Sequence, residues 1–191
     1  MEVDDSAAVE RARLGDSDAF RLLVEQHSRH VFRLAYRMTG NEQDAEDVVQ
    51  ETFLRAYKQI EKYEARSSFS TWLYRIASNY SLDLIRSRKR HEDKREQGSS
   101  EEMDILQSLP GQTPGPDRIL YSGEVSQHVE AAMNELSAQE RSAFVLRHFE
   151  GMSIEEIGEV LGTGINATKH SIFRAVQKLR RSLEPLVSAA K

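Results

Sequence analysis

The sequence predicts an all-α protein with two small helical domains, a four-helix N-terminal domain and a C-terminal helix-turn-helix domain, joined by a flexible linker. Apolar residues recur at helical spacing in nearly every periodic segment, and neither strand-like alternation nor an internal repeat occurs. Three of the four prolines fall between residues 110 and 116, where this periodicity is lost. A chain of 191 residues is long enough for two such domains. We place the N-terminal domain at 1–90, the linker at 91–123 and the C-terminal domain at 124–191.

Three helices are predicted in the first third of the chain. The first covers residues 6–14 and ends at Gly15, and the second begins after Asp16 and stops at Gly40. Asn41 is placed to cap the third, with acidic residues in the first turn that favour the helix dipole. The expected buried stripe of the second helix is Phe20, Leu23, Val24, His27, Val31, Leu34 and Met38, and that of the third is Ala45, Val48, Val49, Thr52, Phe53, Ala56 and Ile60.

A fourth helix is predicted over residues 69–88, and it carries the strongest functional signal in the chain. Its apolar stripe is expected to be Phe69, Leu73, Ile76, Tyr80 and Leu84, opposite a face with Thr71, Arg75, Ser78, Asn79, Leu82 and Arg86. The helix holds the only Trp of the chain and runs into a basic stretch at residues 86–90. Guanidinium, amide and hydroxyl groups of this kind can hold unstacked bases and phosphates. A core helix with a solvated end would show the same periodicity.

The linker and the C-terminal domain follow. Residues 89–123 are rich in Pro, Gly, Ser and mixed charge, and we expect only one short turn there, around residues 103–109. Ser137-Ala-Gln-Glu and Ser153-Ile-Glu-Glu are capping boxes, each of which predicts a helix start. The predicted helices cover residues 125–136, the segment from the first capping box to a break at Glu150-Gly151, residues 154–161, and residues 165 to about 183.

The last two of these helices predict a helix-turn-helix. A short helix, a turn at Gly162-Thr-Gly164 and a longer basic helix form the required layout. The expected core face of the last helix is Ile165, Thr168, Ile172, Val176, Leu179 and Leu183, and the opposite face is Asn166, Lys169, His170, Phe173, Arg174, Gln177 and Arg181. From the first two turns, lysine and arginine could reach guanine acceptors or phosphates, and Phe173 a thymine methyl. Alternatively, Phe173 packs against a neighbouring helix and the helical pair mediates protein contacts.

Charge is distributed unevenly along the chain. The net charge of −5 argues against a nucleic-acid binder, but residues 86–95 hold six basic and two acidic side chains, and the last helix is basic as well. Acidic residues gather instead at residues 42–51. Asp47 and its neighbours there form either a face suited to a basic protein surface or an ordinary solvated face. Opposite patches indicate two kinds of partner.

The composition excludes several classes of function. There is no cysteine, which rules out disulfides and thiolate metal sites. His27 and His30 lie three apart without a suitably placed third ligand, so neither a metal site nor a cofactor is predicted. Phosphate-loop, HExxH and GxSxG motifs do not occur, and we identify no enzyme and no catalytic residue. The start of the chain is acidic and no apolar run approaches about 18 residues, so we expect a cytoplasmic protein without a membrane span.

Three segments, in order, resemble bacterial sigma factors of the extracytoplasmic-function class in the sigma-70 superfamily. Residues 44–56, DAEDVVQETFLRA, are similar to the core-binding helix of region two in that family. Residues 69–79, FSTWLYRIASN, are similar to its promoter-melting helix, and residues 153–174 to its region four helix-turn-helix. The resemblance covers nearly the whole chain. It implies a sigma factor that binds core RNA polymerase and directs promoter recognition, DNA melting and transcription initiation for a stress- or signal-responsive regulon.

The resemblance, together with the polar helix faces, assigns roles to individual residues. Core polymerase would be bound by Asp47, Gln50 and Glu51. Minus-ten DNA would be bound by Tyr63, Trp72, Arg75, Asn79, Arg86 and Arg88, with Tyr63 and Asn79 taking a flipped base. Minus-thirty-five DNA would be read by Asn166, Lys169, His170, Phe173 and Arg174. The resemblance implies an anti-sigma factor as a further partner, and the chain is expected to be a monomer when free of partners.

Two departures from the family pattern leave the promoter sequence open. The recognition helix starts with Gly164-Ile-Asn-Ala-Thr168 where the family commonly has Pro-x-Gly-Thr-Val, and His170 and Ser171 stand where Ser and Arg are usual. The residues alone also leave open two other functions. One is an ordinary helix-turn-helix repressor or activator whose N-terminal domain dimerises or binds a ligand. The other is a helical hydrolase, for which we locate no acid-base site.

Overall fold

The computed structural model describes residues 5–97 and 122–189, and every regular element in these two stretches is helical. The elements are α1 (Ser6–Arg13), α2 (Ser17–Thr39), α3 (Glu42–Gln59), a 3-10 turn (Ile60–Lys62), α4 (Phe69–Gln97), α5 (Ser122–Asn134), α6 (Ala138–His148), α7 (Ile154–Leu161) and α8 (Ile165–Ala189). The predicted all-α class is therefore confirmed. The short turn predicted around residues 103–109 lies outside the described residues.

The predicted helix starts are confirmed by side-chain caps. Asp16 and Asn41 each accept hydrogen bonds from backbone N–H groups in the first turn of the helix that follows, at 2.9 to 3.0 Å. Ser137 and Ser153 each complete a capping box with the glutamate three residues later. These contacts satisfy N–H groups that a helix leaves without partners at its start, and each cap stabilises its helix by about 1 kcal/mol.

The core of the N-terminal domain lies between α2, α3 and α4, with α1 packed on α2. The predicted stripes of α2 and α3 are buried, apart from Val24 and Val49, which are half-buried. Leu23, Leu34 and similar side chains are fully enclosed. Burying each such aliphatic side chain contributes about 1.5 to 3 kcal/mol, so apolar packing is the main stabilising term here.

The buried side of α4 differs from the predicted one. It consists of Phe69, Leu73, Ala77, Ser78, Ser81 and Leu82. Ile76, Tyr80 and Leu84 are only half-buried, and the assignment of Ser78 and Leu82 to the polar face was wrong. The small side chains Ala77, Ser78 and Ser81 lie where α4 packs on α2 and α3, and small side chains allow helices to approach closely.

Helix α4 is also longer than predicted, because it continues from residue 88 to Gln97. Residues 89–97 contain no glycine or proline and consist mostly of good helix formers, which allows the helix to propagate. Gly98 follows directly in the sequence. The proposed domain boundary at residue 90 stays a prediction.

The C-terminal domain is built on α8, which contacts α5, α6 and α7. Leu146, Ile157, Thr168 and Ala175 form its fully enclosed centre. The two domains also contact each other, because α6 packs against α2 and α4, and α7 packs against α4. Within the described ranges, no helix is both long and apolar enough to span a membrane.

Candidate nucleic-acid interface

The loop between the 3-10 turn and α4 is held by a cluster of aromatic rings. The ring of Tyr63 lies 5.7 Å from Phe69 and 5.1 Å from Trp72, and His27 lies 5.4 Å from Phe69. The Tyr63 hydroxyl donates a hydrogen bond to the backbone carbonyl of Ser67 at 2.6 Å, which closes the loop. Burial, with the nearby Asp5 carboxylate, raises the pKa of Tyr63. Tyr63 is therefore a neutral phenol, buried beneath the loop, that supports the loop through its hydrogen bond to Ser67.

An open pocket of about 830 Å³ lies in front of this loop, between α1, α2 and the start of α4. Its walls include Gln26, His30, Arg66 and Ser68, a mixture of donors and acceptors that suits a nucleobase edge. Ala65, at the rim, has a φ of 53°, which is uncommon for a residue with a side chain. Backbone strain of this kind, about 1 to 3 kcal/mol, persists where the surrounding fold imposes it and is frequent at ligand sites.

The exposed face of α4 carries three of the predicted minus-ten residues, namely Arg75, Asn79 and Arg86. Arg75 and Asn79 are one turn apart and both point into solvent. Arg88 is placed differently, because its Nη2 lies 2.5 Å from Asp44 Oδ1 on α3. The role of Arg88 in the free protein is thus to pair a carboxylate that is only 9% exposed.

The predicted partner face on α3 is largely available. Asp47 and Gln50 are exposed, and Leu54, one turn further along, is 48% exposed. Glu51 is half-buried and accepts a hydrogen bond from Arg55 Nε at 2.6 Å. The face therefore offers two exposed polar groups and an apolar side chain, while Glu51 is paired with Arg55.

The helix-turn-helix is fixed by a close approach that the sequence did not reveal. Gly158 lies on the side of α7 that meets the turn, where a Cβ would be 2.8 Å from the carbonyl oxygen of Thr163. The hydroxyl groups of Thr163 and Thr168 are 2.8 Å apart, and Thr168 is fully buried. Only glycine at position 158 lets α7 approach the turn this closely. Gly158 thereby sets the crossing of the two helices.

The outer face of α8 agrees with the sequence prediction. Asn166, Lys169, His170, Phe173 and Arg174 are all exposed, and Phe173 is 62% exposed, so it does not pack on a neighbouring helix. The expectation that Ile165 belongs to the core was wrong, since it is 47% exposed. Ile165 is the first residue of α8, at the end of the helix nearest the turn.

Lys178 anchors α8 to α6 beside this face, because its partner Glu140 lines a surface pocket together with Asn166 and Arg174. Its Nζ lies 2.7 Å from Glu140 Oε2. Burial alone would raise the pKa of Glu140, but the hydrogen bonds from Lys178 and from the backbone of Ser137 outweigh it and leave that pKa below its usual value. Glu140 is therefore ionised at neutral pH and ties α8 to α6.

The histidines singled out as possible ligands have another place in the fold. His27 Nε2 lies 2.8 Å from Asp5 Oδ2 and ties the start of the described chain to α2. His30 lines the pocket. In residues 5–97 and 122–189, no group of three His, Cys, Asp or Glu side chains is placed to hold a metal ion.

Comparison with known families assigns the two domains in order. Residues 23–91 match the family model of sigma-70 region 2, and residues 126–179 match that of sigma-70 region 4. The first match contains α3, the aromatic loop and the exposed face of α4, and the second contains the helix-turn-helix. The fold and its two polar faces thus define a sigma-70 factor.

Similar proteins narrow the class. The ECF RNA polymerase sigma factor SigW of Bacillus subtilis is 33% identical, over 97% of this chain and 100% of that protein. SigE of Mycolicibacterium smegmatis is 39% identical over 83% of this chain, which covers 59% of that longer protein. The chain belongs to the ECF RNA polymerase sigma factors. Family membership decides among the functions that the residues left open, in favour of a sigma factor.

Two solved structures share the arrangement of helices. The sigma factor RpoE in complex with the anti-sigma factor NepR from Bartonella quintana has a TM-score of 0.66 at 25% identity, over 86% of this chain and 96% of that chain. CnrH in complex with the cytosolic domain of CnrY has a TM-score of 0.66 at 26% identity, over 95% and 97%.

Proposed function

We propose that this chain is a promoter-recognition subunit of a bacterial RNA polymerase. It binds the core enzyme through α3, opens the minus-ten element with α4 and the aromatic loop, and reads the minus-thirty-five element with α8. The observation that carries the proposal is a pair of separate exposed polar faces on two domains that match regions 2 and 4 in order. The chain contributes binding energy and no catalysis of its own, acts in the cytoplasm, and serves a stress- or signal-responsive regulon.

Core polymerase is bound by the exposed groups of α3. Asp47 and Gln50 supply a carboxylate and an amide to a basic surface, and Glu51 joins them once Arg55 turns away. A rim charge mainly steers association, whereas a buried apolar anchor slows dissociation. Leu54 lies in the same stripe and is the side chain best placed to act as that anchor.

Promoter opening follows from the pocket beside the loop. Taking a base out of the duplex costs a few kcal/mol in lost stacking and pairing. A base that enters the pocket regains about 1 to 3 kcal/mol by stacking on aromatic or planar groups, and hydrogen bonds to polar walls add to this. Tyr63 keeps the loop in the receptive shape, and Asn79 offers an amide on the adjacent face of α4.

The minus-thirty-five element is read by α8 in the major groove. Lys169 and Arg174 supply phosphate or guanine contacts, His170 donates or accepts a hydrogen bond, and exposed Phe173 meets a thymine methyl. Phosphate contacts release counterions, so binding weakens as salt rises. The similar sigma factor RpoE was solved in complex with an anti-sigma factor, so we propose that an anti-sigma protein regulates this chain as well. The free chain is proposed to be a monomer.

The proposed function is tested by reconstitution with core polymerase. Run-off transcription from candidate promoters should depend on the added chain, and a complete lack of initiation on every promoter tested would sink the proposal. Asn79→Ala should reduce permanganate reactivity of minus-ten thymines about tenfold, because the hydrogen bonds of its amide to a base, worth about 1 to 3 kcal/mol, are lost. Gln59→Ala, an exposed amide at the end of α3, is the control. Equal losses in duplex footprinting and in permanganate reactivity would reject the assignment of Asn79 to melting.

A further inference from the structure

The first residue that the structure describes is tied to the aromatic cluster behind the loop that precedes α4. Asp5, directly before α1, accepts a hydrogen bond from His27 on α2, with 2.8 Å between Oδ2 and Nε2. The two residues are 22 positions apart in the sequence. The stretch that matches sigma-70 region 2 begins only at residue 23. The family match therefore gives Asp5 and α1 no role.

His27 carries this contact onward to the loop. Its ring meets the Phe69 ring edge to face, with 5.4 Å between the centroids, and Phe69 lies 5.7 Å from Tyr63. Tyr63 in turn closes the loop, because its hydroxyl donates to the carbonyl oxygen of Ser67 at 2.6 Å. Edge-to-face ring pairs favour particular orientations. A continuous chain of directional contacts thus runs from Asp5 to the loop.

Helix α1 also forms part of the pocket in front of the loop. Asp5, Val9 and Glu10 lie in the pocket wall, and α1 contacts the 3-10 turn from which the loop departs. Val9 is 5% exposed and seats α1 by apolar packing, which is not directional. Burial and the Asp5 carboxylate together raise the pKa of Tyr63, so Asp5 lies close to this ring as well. A displacement of Asp5 would therefore change both the wall of the pocket and the support of the loop.

Stability does not account for Asp5. Its side chain is 12% exposed and that of His27 is 11% exposed. The second carboxylate oxygen, Oδ1, is buried without a hydrogen-bond partner in the part of the chain that the structure describes. A buried polar atom without a partner is destabilising, and a buried ion pair is often no more stable than apolar side chains of the same size. The Asp5 side chain does not cap α1 either. Its contribution is one of position, because it fixes the His27 ring.

The loop needs support from beneath. Ala65 has a φ of 53°, a conformation that residues with a side chain rarely adopt. Strained backbone of this kind persists only while the surrounding structure imposes it. Residues 64–68 are all exposed, so the restraint has to come from the buried rings below them. The aromatic cluster and the groups that fix it supply that restraint.

We propose that Asp5, acting through His27, is a positioning residue for promoter opening. It fixes the aromatic cluster, and the cluster holds the loop in the shape that admits an unstacked base. The inference rests on the proposed function for the use of the loop in opening, whereas the link from Asp5 to the loop is a property of the free chain. A base that enters a preformed pocket does not have to order the loop first. Loss of the link should weaken binding of the base in proportion to the fraction of chains that lose the receptive shape.

The first test uses Trp72 as a reporter in the free, full-length chain. It is the only Trp, and its ring lies in the cluster, 5.1 Å from Tyr63. Acrylamide should quench its fluorescence more strongly in Asp5→Ala and in His27→Ala, because the cluster loosens. His27→Gln should restore most of the protection, since its amide nitrogen can donate to Asp5 as Nε2 does. Glu25→Ala, at an exposed glutamate of α2, should be quenched like the unchanged chain. Unchanged quenching in Asp5→Ala would overturn the link.

The second test measures promoter opening with core polymerase. Asp5→Ala should lower the permanganate reactivity of minus-ten thymines about three- to tenfold, and His27→Gln should lower it less. Binding of a minus-thirty-five duplex should stay within about twofold of the unchanged chain, because α8 belongs to the other domain.

Three outcomes of the second test would count against the proposals. Full permanganate reactivity in Asp5→Ala, despite stronger quenching, would refute a role in opening. Equal losses of opening and of duplex binding, with a lower urea midpoint, would reveal a general loss of folding and refute a positioning role. Failure of the unchanged chain to initiate on every promoter would refute the proposed function, while the quenching measurement would still decide whether Asp5 fixes the cluster.

Discussion

Gly158→Ala is the substitution for which the structure gives the clearest expected cost. The added Cβ would lie 2.8 Å from the carbonyl oxygen of Thr163 and 3.4 Å from Thr168 Oγ1. The first contact involves backbone, so α7 or the turn must shift. Overpacking of this kind costs about 1 to 3 kcal/mol. Alanine regains up to about 1 kcal/mol of helix propensity inside α7, which leaves a net loss near 1 to 2 kcal/mol.

Gly164→Ala is the matched control, because nothing lies within 4 Å of a Cβ built there. Urea unfolding followed by far-UV circular dichroism should show a lower midpoint for Gly158→Ala, by roughly 0.5 to 1 M, and little change for the control. Trp72 is the only Trp of the chain and lies in the N-terminal domain, whereas Gly158 lies in the C-terminal domain. The urea midpoint measured by tryptophan fluorescence should therefore shift less than the midpoint measured by circular dichroism.

The same pair of variants tests the consequence for DNA. A displaced turn misaligns α8 with the helix that supports it, so Gly158→Ala should weaken binding of a minus-thirty-five duplex about tenfold, while Gly164→Ala should bind within about threefold of the unchanged chain. If Gly158→Ala is as stable as the unchanged protein, or if both glycines respond alike, the close approach does not set the helix crossing.

Two further predictions concern charge and exposure. Arg88→Met leaves Asp44 buried without its partner and should lower the free energy of unfolding by about 1 to 2 kcal/mol at pH 7, a value reduced for the half-exposed arginine. Burial raises the pKa of Asp44, and Arg88 opposes this rise. Without Arg88, the ionised carboxylate destabilises the folded state at every pH above its folded-state pKa. This destabilisation is lost as the pH falls through that pKa, because the carboxylate is then protonated. In unfolding titrations, the loss of unfolding free energy in Arg88→Met should therefore shrink between pH 7 and pH 4. A loss that grows as the pH falls would contradict this origin. The control Arg86→Met, at an exposed arginine, should show neither the loss nor its pH dependence. Phe173→Ala should change stability by less than about 0.5 kcal/mol, since the ring is 62% exposed, but weaken binding of thymine-containing minus-thirty-five duplexes by about three- to tenfold. The free energy of unfolding is measured by urea melts and the free energy of DNA binding by fluorescence anisotropy. If Phe173→Ala lowers the first by more than the second, Phe173 belongs to the core.

Local signals predicted the helices and the exposed side of α8 well. Caps at Asp16, Asn41, Ser137 and Ser153 depend on neighbouring backbone groups only, so sequence spacing is sufficient to find them. The burial of Ser78 could not be found in this way. Its hydroxyl has no hydrogen-bond partner among the described residues, and only the close packing of α4 on its neighbours places it inside.

Contacts between distant segments were the other part that the sequence could not show. Arg141 looks like an ordinary helix-surface arginine, and its burial arises only when α6 meets α2. Arg88 looks like one more member of a basic stretch, although the structure pairs it with Asp44. Periodicity always places a charged side chain in solvent, because charged residues are mostly exposed. It therefore misses a charged residue that is buried against a partner from a distant part of the chain. The binding roles assigned to individual residues remain predictions.

The length of α4 has a mechanical consequence. Its 29 residues form one helix about 44 Å long, which begins at the aromatic cluster and ends at Gln97. A rotation of only about 10° at the cluster would move the far end by roughly 8 Å, because the helix acts as a lever. In the sequence, the segment that joins the two domains follows this far end. A small rotation of α4 at the pocket thus becomes a displacement of several ångströms at Gln97, where the connection between the domains begins.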